Sequence, residues 1–353
     1  MSVSDYGRKF NEMSNIQYNI QLHKLCTHLQ LGEIIGQEEK LSGGFLHRMY
    51  GIETTKGKYA VKALNPEIMS RPTAMKNYIN SEKIVNIVSK RNIPALPGIQ
   101  KNGIVVHSVD EQYYLVFPWV NGKSLEPSNI NSEHCKIIGS ILANIHSTDF
   151  KELDIENDIS FDDLTIDWNF YYQMGRESNS IWSDLLYENL EYFYNLTSCA
   201  EKASKTLASD MVISHRDLDS KNIMWNLNNP IIIDWEAAGY INPLQELIET
   251  AISLAGDGNE RLNKENFCAV ISSYKSESKR ICEDWKTVLE SGYAGKFGWL
   301  LYNLKRSLGI LCADEEEQRL GTDQVIKTID AIKYYADIIP MLFEWLDKAL
   351  VDI

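Results

Sequence analysis

Apolar residues Ile20, Leu22, Leu25 and Leu29 recur among polar neighbours at helical intervals and predict a helix over about 15–31. The pattern then changes. LSGGFLHRMYGIETTKGKYAVKALN (41–65) reads as two strands around a turn at Thr55 to Gly57. Within it, Tyr59, Val61 and Ala63 face one way and Ala60, Lys62 and Leu64 the other, because strand side chains alternate. Pro72 stands near the start of a further helix, with Ser70 as its candidate cap, and that helix runs to about Lys90 before Asn92-Ile93-Pro94 interrupts it. GIVVHS and QYYLVFPWV are predicted as two more strands.

The polar segment NGKSLEPSN, with its glycine and proline, reads as a connection between two lobes. Beyond it, Ile137, Ile138, Ile141, Leu142 and Ile145 return to helical spacing, and aromatic-rich helical patterns occupy roughly 166–208. Short strand-like pieces surround 211–233, and helices are predicted from there to Ile353. The expectation is an α+β chain in two lobes. Residues 1–120 form a small antiparallel-sheet lobe with a leading helix, and 121–353 a larger, mostly helical one. No internal repeat or low-complexity tract interrupts this plan.

The length of 353 residues suits two lobes better than one core, and a 44% hydrophobic fraction supplies the interior. No apolar run approaches the roughly 20 residues of a membrane span, and the N-terminus lacks the apolar stretch of a signal peptide. No membrane partner and a cytoplasmic location are therefore expected. Cys26, Cys135, Cys199, Cys268, Cys282 and Cys312 lie far apart without CxxC spacing, which favours reduced structural thiols over a zinc site or disulfide framework. A formal net charge of −14 argues against nucleic acid as a partner and suits a cationic small molecule.

The chemistry concentrates in MVISHRDLDSKNIMWNLNNPIIIDWE, residues 211–236. Two strands joined by the turn NLNNP set Asn222, at the start of one, beside Asp234, at the end of the other. An amide oxygen and a carboxylate there are hard ligands suited to Mg²⁺ carrying phosphates. Asp217, on the loop before Asn222, is placed to accept a hydroxyl proton and orient it for in-line attack.

His215 and Asp217, followed by Asn222, an apolar strand and IDWE, resemble the signature of the aminoglycoside phosphotransferase and choline kinase superfamily. Its members share the bilobal protein-kinase-like fold and phosphorylate small molecules, and the likeness spans about residues 35–310. The resemblance implies Asp217 as catalytic base, Asn222 and Asp234 as magnesium ligands, and His215 as a loop-structuring residue. Arg216 departs from the pattern, since aminoglycoside kinases often carry glycine there. A DFG triplet and an APE segment are both missing, so a protein kinase is the poorer fit.

The resemblance also implies a nucleotide site for ATP or GTP in the first lobe. Lys62 would contact the phosphates, paired with Glu82 on the following helix, where a charge beside Tyr78 and Val85 calls for a partner. Ser42, Gly43 and Gly44 resemble a short phosphate loop whose backbone N–H groups face anions. Phe117, Trp119 and Val120 lie in the stretch that would meet the base, and His47 and His146 read as framework residues. For the acceptor, carboxylates Asp162, Asp163, Asp167, Glu236, Glu283 and Asp284 and aromatics Trp168, Trp285 and Trp299 are candidates. An aminoglycoside-type acceptor needs several carboxylates, and a choline-like one needs an aromatic box. The expected function is a small-molecule kinase with an aminoglycoside-like hydroxyl acceptor. The alternatives are a choline or ethanolamine kinase and a nucleotide-binding pseudokinase scaffold.

Overall fold

The computed structural model describes residues 17–41, 46–157, 165–258, 261–278, 280 and 284–351. The leading helix, α1 (Leu22–Leu29), starts later than the periodicity suggests, and residues 17–21 ahead of it carry no regular secondary structure. Five antiparallel strands follow in the order β1-β2-β3-β5-β4: β1 (Glu39–Leu41), β2 (Arg48–Thr54), β3 (Gly57–Ala63), β4 (His107–Val109) and β5 (Gln112–Pro118). The alternation in β3 sorts its side chains as expected. Val61 and Ala63 join Ile52, Tyr114 and Val116 under α1 in one core, which buries that sheet face. By register, Met49 lies opposite Lys62 and Gly51 opposite Ala60, with Leu115 and Phe117 beyond, so these residues share the other face.

Two short corrections concern the next segment. Ser70 closes the one-turn helix α2 (Pro66–Met69), and the long helix α3 (Ala74–Lys90) begins later with Thr73 at its N-cap position. Of GIVVHS only His107 and Ser108 enter a strand. Helix α3 carries Ile84, Val85, Ile87 and Val88 into the large core of the second lobe, so it bridges the two lobes.

After Pro118 the chain leaves the sheet. NGKSLEPSN is more than a connection: it contains β6 (Lys123–Ser124), which pairs with β8 (Ile223–Asn226), itself paired with β9 (Asn229–Ile232). A second small pair joins β7 (Val212–Ser214) to β10 (Gly239–Ile241). Helices surround them: α4 (Ser132–His146), α5 (Trp168–Glu177), α6 (Ser183–Glu188), α7 (Leu190–Leu207), α8 (Pro243–Ala255), α9 (Lys264–Glu277), α10 (Trp285–Ser291), α11 (Tyr293–Ser307) and α12 (Glu315–Val351). The result is a bilobal, protein-kinase-like α+β fold. Among the described residues no helix is long and apolar enough to cross a membrane.

Candidate active site

The loop between β7 and β8 is held from both sides. Asp217 N–H donates to His215 Nδ1 (3.2 Å), which fixes the tautomer so that Nε2–H donates to the Ile233 carbonyl (3.0 Å). Arg216 adopts φ +68, a left-handed conformation that costs a non-glycine residue energy, which fits a glycine preference at this position. Its N–H is held by Glu246 Oε1 at 2.6 Å. The other carboxylate oxygen of Glu246 meets His146 Nε2 at 2.8 Å, and His146 Nδ1 meets the Tyr274 hydroxyl at 2.9 Å. Burial pushes the Glu246 pKa up, but its hydrogen bond with His146 and the neighbouring charges hold it below the ordinary range. His146 is thus a framework residue.

Asn222 closes the loop. Its Nδ2 donates to the Asp217 backbone carbonyl (2.8 Å) and to Asp217 Oδ2 (2.9 Å), so the amide oxygen is the atom left for a ligand. Ile233 N–H donates to the Asn222 carbonyl at 2.9 Å, which brings Asp234, also left-handed at φ +62, next to it. The Asp217 side chain is 45% exposed, with Lys221 Nζ at 3.6 Å from Oδ2. Partial desolvation raises its pKa, against the opposing pull of Lys221 and His215.

Lys62 reaches down from β3 into this cluster. Its ammonium lies 2.6 Å from Asp234 Oδ1 and 2.7 Å from Glu236 Oε2. Burial alone would lower its pKa, but the two carboxylates raise it well above the usual lysine value. Glu236 answers in kind: burial raises it, yet Lys62 and His47 hold it well below the carboxylate range. His47 Nδ1 accepts from Asn65 N–H (2.9 Å), and its Nε2 lies 2.8 Å from the Tyr78 hydroxyl and 3.3 Å from Glu236 Oε2.

The expected Lys62–Glu82 ion pair is therefore corrected. Glu82 is buried, but its Oε2 accepts from Gly98 N–H at 2.9 Å. A Cβ at Gly98 would stand 3.1 Å from that oxygen, so glycine permits the close approach. Desolvation raises the Glu82 pKa, and Lys62 acts on it through its field only. Glu236, placed among the acceptor candidates on sequence, is the lysine's partner.

Trp119 N–H is engaged by the Lys58 carbonyl at 3.1 Å. Its indole lies on the Lys62 face of the sheet against Gly51, where a Cβ would come within 3.2 Å of the ring, and the Lys58 ammonium sits 3.7 Å from its centroid. Phe117 pairs with Ala60 on the same face, and Val120 follows where the chain leaves the sheet. Ser42, Gly43 and Gly44, like Asp162, Asp163 and Glu283, lie outside the described residues.

The remaining acceptor candidates are drawn elsewhere. Asp167 caps α5 through Phe170 N–H, and Asp284 caps α10 through Thr287 N–H. Trp168 and Trp285 are buried in the core, and Trp299 stacks on Tyr302. What lines the cavity beside Asp217 instead is a stripe of α8, namely Glu246, Glu249, Thr250 and Ser253, facing Arg216 and Asp219. The spacing i, i+3, i+4, i+7 of polar residues on an otherwise apolar helix was the available signal.

The sequence model of the phosphotransferase enzyme family (APH) matches residues 38–267. Solved structures share the fold at low identity. A spectinomycin phosphotransferase in complex with ADP and spectinomycin is 14% identical, with 91% of this chain and 95% of that one covered and a TM-score of 0.64. A choline kinase from Cryptosporidium parvum is 12% identical over 93% and 98%, TM-score 0.57, and an ethanolamine kinase from Plasmodium vivax 16% over 83% and 81%, TM-score 0.55. No curated protein sequence matches.

Proposed function

Because the chain belongs to the phosphotransferase enzyme family, we propose that it is a cytosolic small-molecule kinase that transfers the γ-phosphoryl group of ATP or GTP to an acceptor hydroxyl. The first lobe, to about residue 120, takes the nucleotide, and the second carries the catalytic loop and acceptor pocket. Asp217 accepts the hydroxyl proton as the acceptor oxygen bonds to the γ-phosphorus. The bond from that phosphorus to the β–γ bridging oxygen breaks, and the nucleoside diphosphate leaves. Lys62, positioned by Glu236, meets the phosphates, and Phe117, Trp119 and Val120 lie around the base; Ser42, Gly43 and Gly44 are the phosphate-loop residues that the sequence offers. Glu82 supports that wall from α3.

The Asn222 oxygen and the Asp234 carboxylate fit Mg²⁺, a hard ion satisfied by few protein oxygens. Phosphate and water oxygens would complete the ligand set of an ion held there. The ion would neutralise phosphate charge.

The observation that carries this reading is Asn222, whose side chain donates to the Asp217 carboxylate while its backbone carbonyl accepts from Ile233 N–H, the residue before Asp234. A coupled assay with magnesium and ATP or GTP tests it: Asp217→Asn should lower kcat by about a hundred- to ten-thousandfold while nucleotide binding persists. Activity requires the ionised carboxylate, so the acid limb of kcat/KM should lie above the usual aspartate value, as the raised pKa of Asp217 demands. Nucleotide binding with no turnover on any acceptor, in wild type and variant alike, would instead support the pseudokinase scaffold.

A further inference from the structure

Arg216 and Lys221 both stand on the catalytic loop, but they are placed differently. The Arg216 guanidinium reaches β10, its Nη1 3.2 Å from where a Cβ on Gly239 would stand. Lys221 comes four residues after Asp217 and directly before Asn222, inside the single turn Ser220–Asn222. Its backbone is fixed from both sides. Its N–H donates to Asp219 Oδ1 (3.1 Å), and its carbonyl accepts from Ser124 Oγ of β6 (2.9 Å). The side chain is 52% exposed, with the ammonium 3.6 Å from Asp217 Oδ2. The Asn222 amide donates to that same oxygen at 2.9 Å. Lys221 and Asn222 therefore converge on one carboxylate oxygen of the catalytic base.

A phosphoryl group in transfer carries negative charge on its equatorial oxygens, and fixed cations around it lower the barrier. The surroundings here are acidic. Asp217, Asp219, Glu246 and Glu249 line the cavity, and Lys62 is already shared by Asp234 and Glu236 at 2.6 and 2.7 Å. A phosphoryl group bound at Asn222 and Asp234, and attacked by a hydroxyl held at Asp217, has to pass beside the Asp217–Asn222 hydrogen bond. The Lys221 ammonium lies there, on a flexible four-carbon stem able to follow the group. We infer that Lys221 is a catalytic residue, whose ammonium bonds an equatorial oxygen of the transferring phosphoryl group and screens that group from the Asp217 carboxylate. This deepens the kinase reading and rests on it. The hydroxyl proton goes to Asp217 and the nucleoside diphosphate departs as before; Lys221 keeps its protons throughout. An ordinary solvated pair at i, i+4 would need neither the anchored backbone nor the oxygen shared with Asn222.

Magnesium–ATP with water as acceptor, and magnesium–ADP with and without aluminium fluoride, test this in wild type, Lys221→Met and Lys221→Arg. Aluminium fluoride beside ADP imitates the transferring phosphoryl group, so it gives a readout without turnover. In wild type it should tighten ADP binding about a hundredfold or more. Lys221→Met should remove most of that gain while ADP alone binds as before. The same substitution should lower kcat for hydrolysis about a hundredfold, with little change in KM for ATP. Lys221→Arg keeps the charge and should restore most of both. The melting temperature should hardly move, because a half-exposed pair contributes little to stability. An unchanged kcat in Lys221→Met overturns the role of Lys221. So does a lowered kcat with the aluminium fluoride gain intact, which would make the lysine a partner of Asp217 alone. A wild type in which aluminium fluoride adds nothing overturns it too. The kinase reading is judged separately, by hydrolysis of magnesium–ATP that Asp217→Asn abolishes.

Discussion

Glu236 shows how one buried carboxylate sets the state of the residues around it. It shares Lys62 with Asp234 and lies against His47, with only 17% of its side chain exposed. Breaking a buried ion pair leaves a charge poorly compensated, so Glu236→Gln should cost roughly 3 kcal/mol at neutral pH. Its folded pKa is depressed, so its contribution is fully present above the unfolded glutamate value of about 4.3 and fades as pH falls below it. The melting-temperature gap between wild type and variant should therefore be wide at neutral pH and narrow in acid; a gap independent of pH would contradict this assignment. Sequence placed Lys62 on its strand through alternation alone, but not its partner. Glu82 had the right helix and the right apolar neighbours, whereas Glu236 reaches the lysine through a turn after β9 that no local periodicity encodes.

At the scale of elements, legibility followed locality. The β2–β3 hairpin and the pairing of β8 with β9 could be read from alternation and turn residues, and with them the proximity of Asn222 and Asp234. The role of α8 could not, because its polar stripe acquires meaning only when packed under the β7–β8 loop. That helix depends on Asn242, whose Oδ1 accepts from Leu244 and Gln245 N–H while its Nδ2 donates to the Leu207 and Asp210 carbonyls. Asn242 is buried, so Asn242→Ala removes a cap and strands two carbonyls together, at a cost of about 2 kcal/mol. Urea unfolding should report that loss. Since α8 presents Glu246, Glu249 and Thr250, KM for the acceptor should rise more than KM for the nucleotide.

The two lobes are tied by more than the chain that leaves the sheet after Pro118. The start of α12, far along the sequence, returns to the first lobe. Arg48 pairs with Asp314, and Lys40 lies 3.4 Å from Glu316. Deeper in, Glu317 Oε1 accepts from Asn65 Nδ2 at 2.8 Å, and its Oε2 accepts from Ala313 N–H and faces Arg306 at 3.9 Å. Asn65, fully buried, donates its own N–H to His47, which faces Glu236 and through it Lys62. A continuous polar path therefore runs from the last helix to Lys62, whereas the Lys40–Glu316 pair is exposed and contributes little. Glu317 and Glu236 do not touch, and distant independent sites normally add within about 0.5 kcal/mol. If the path acts as one unit, Glu317→Gln and Glu236→Gln should depart from additivity by about 1 kcal/mol in a double-mutant cycle of unfolding free energies. The same coupling should appear in nucleotide affinity, because both substitutions loosen the hold on Lys62. Strict additivity in both measurements would mean that α12 braces the first lobe without any influence on the lysine.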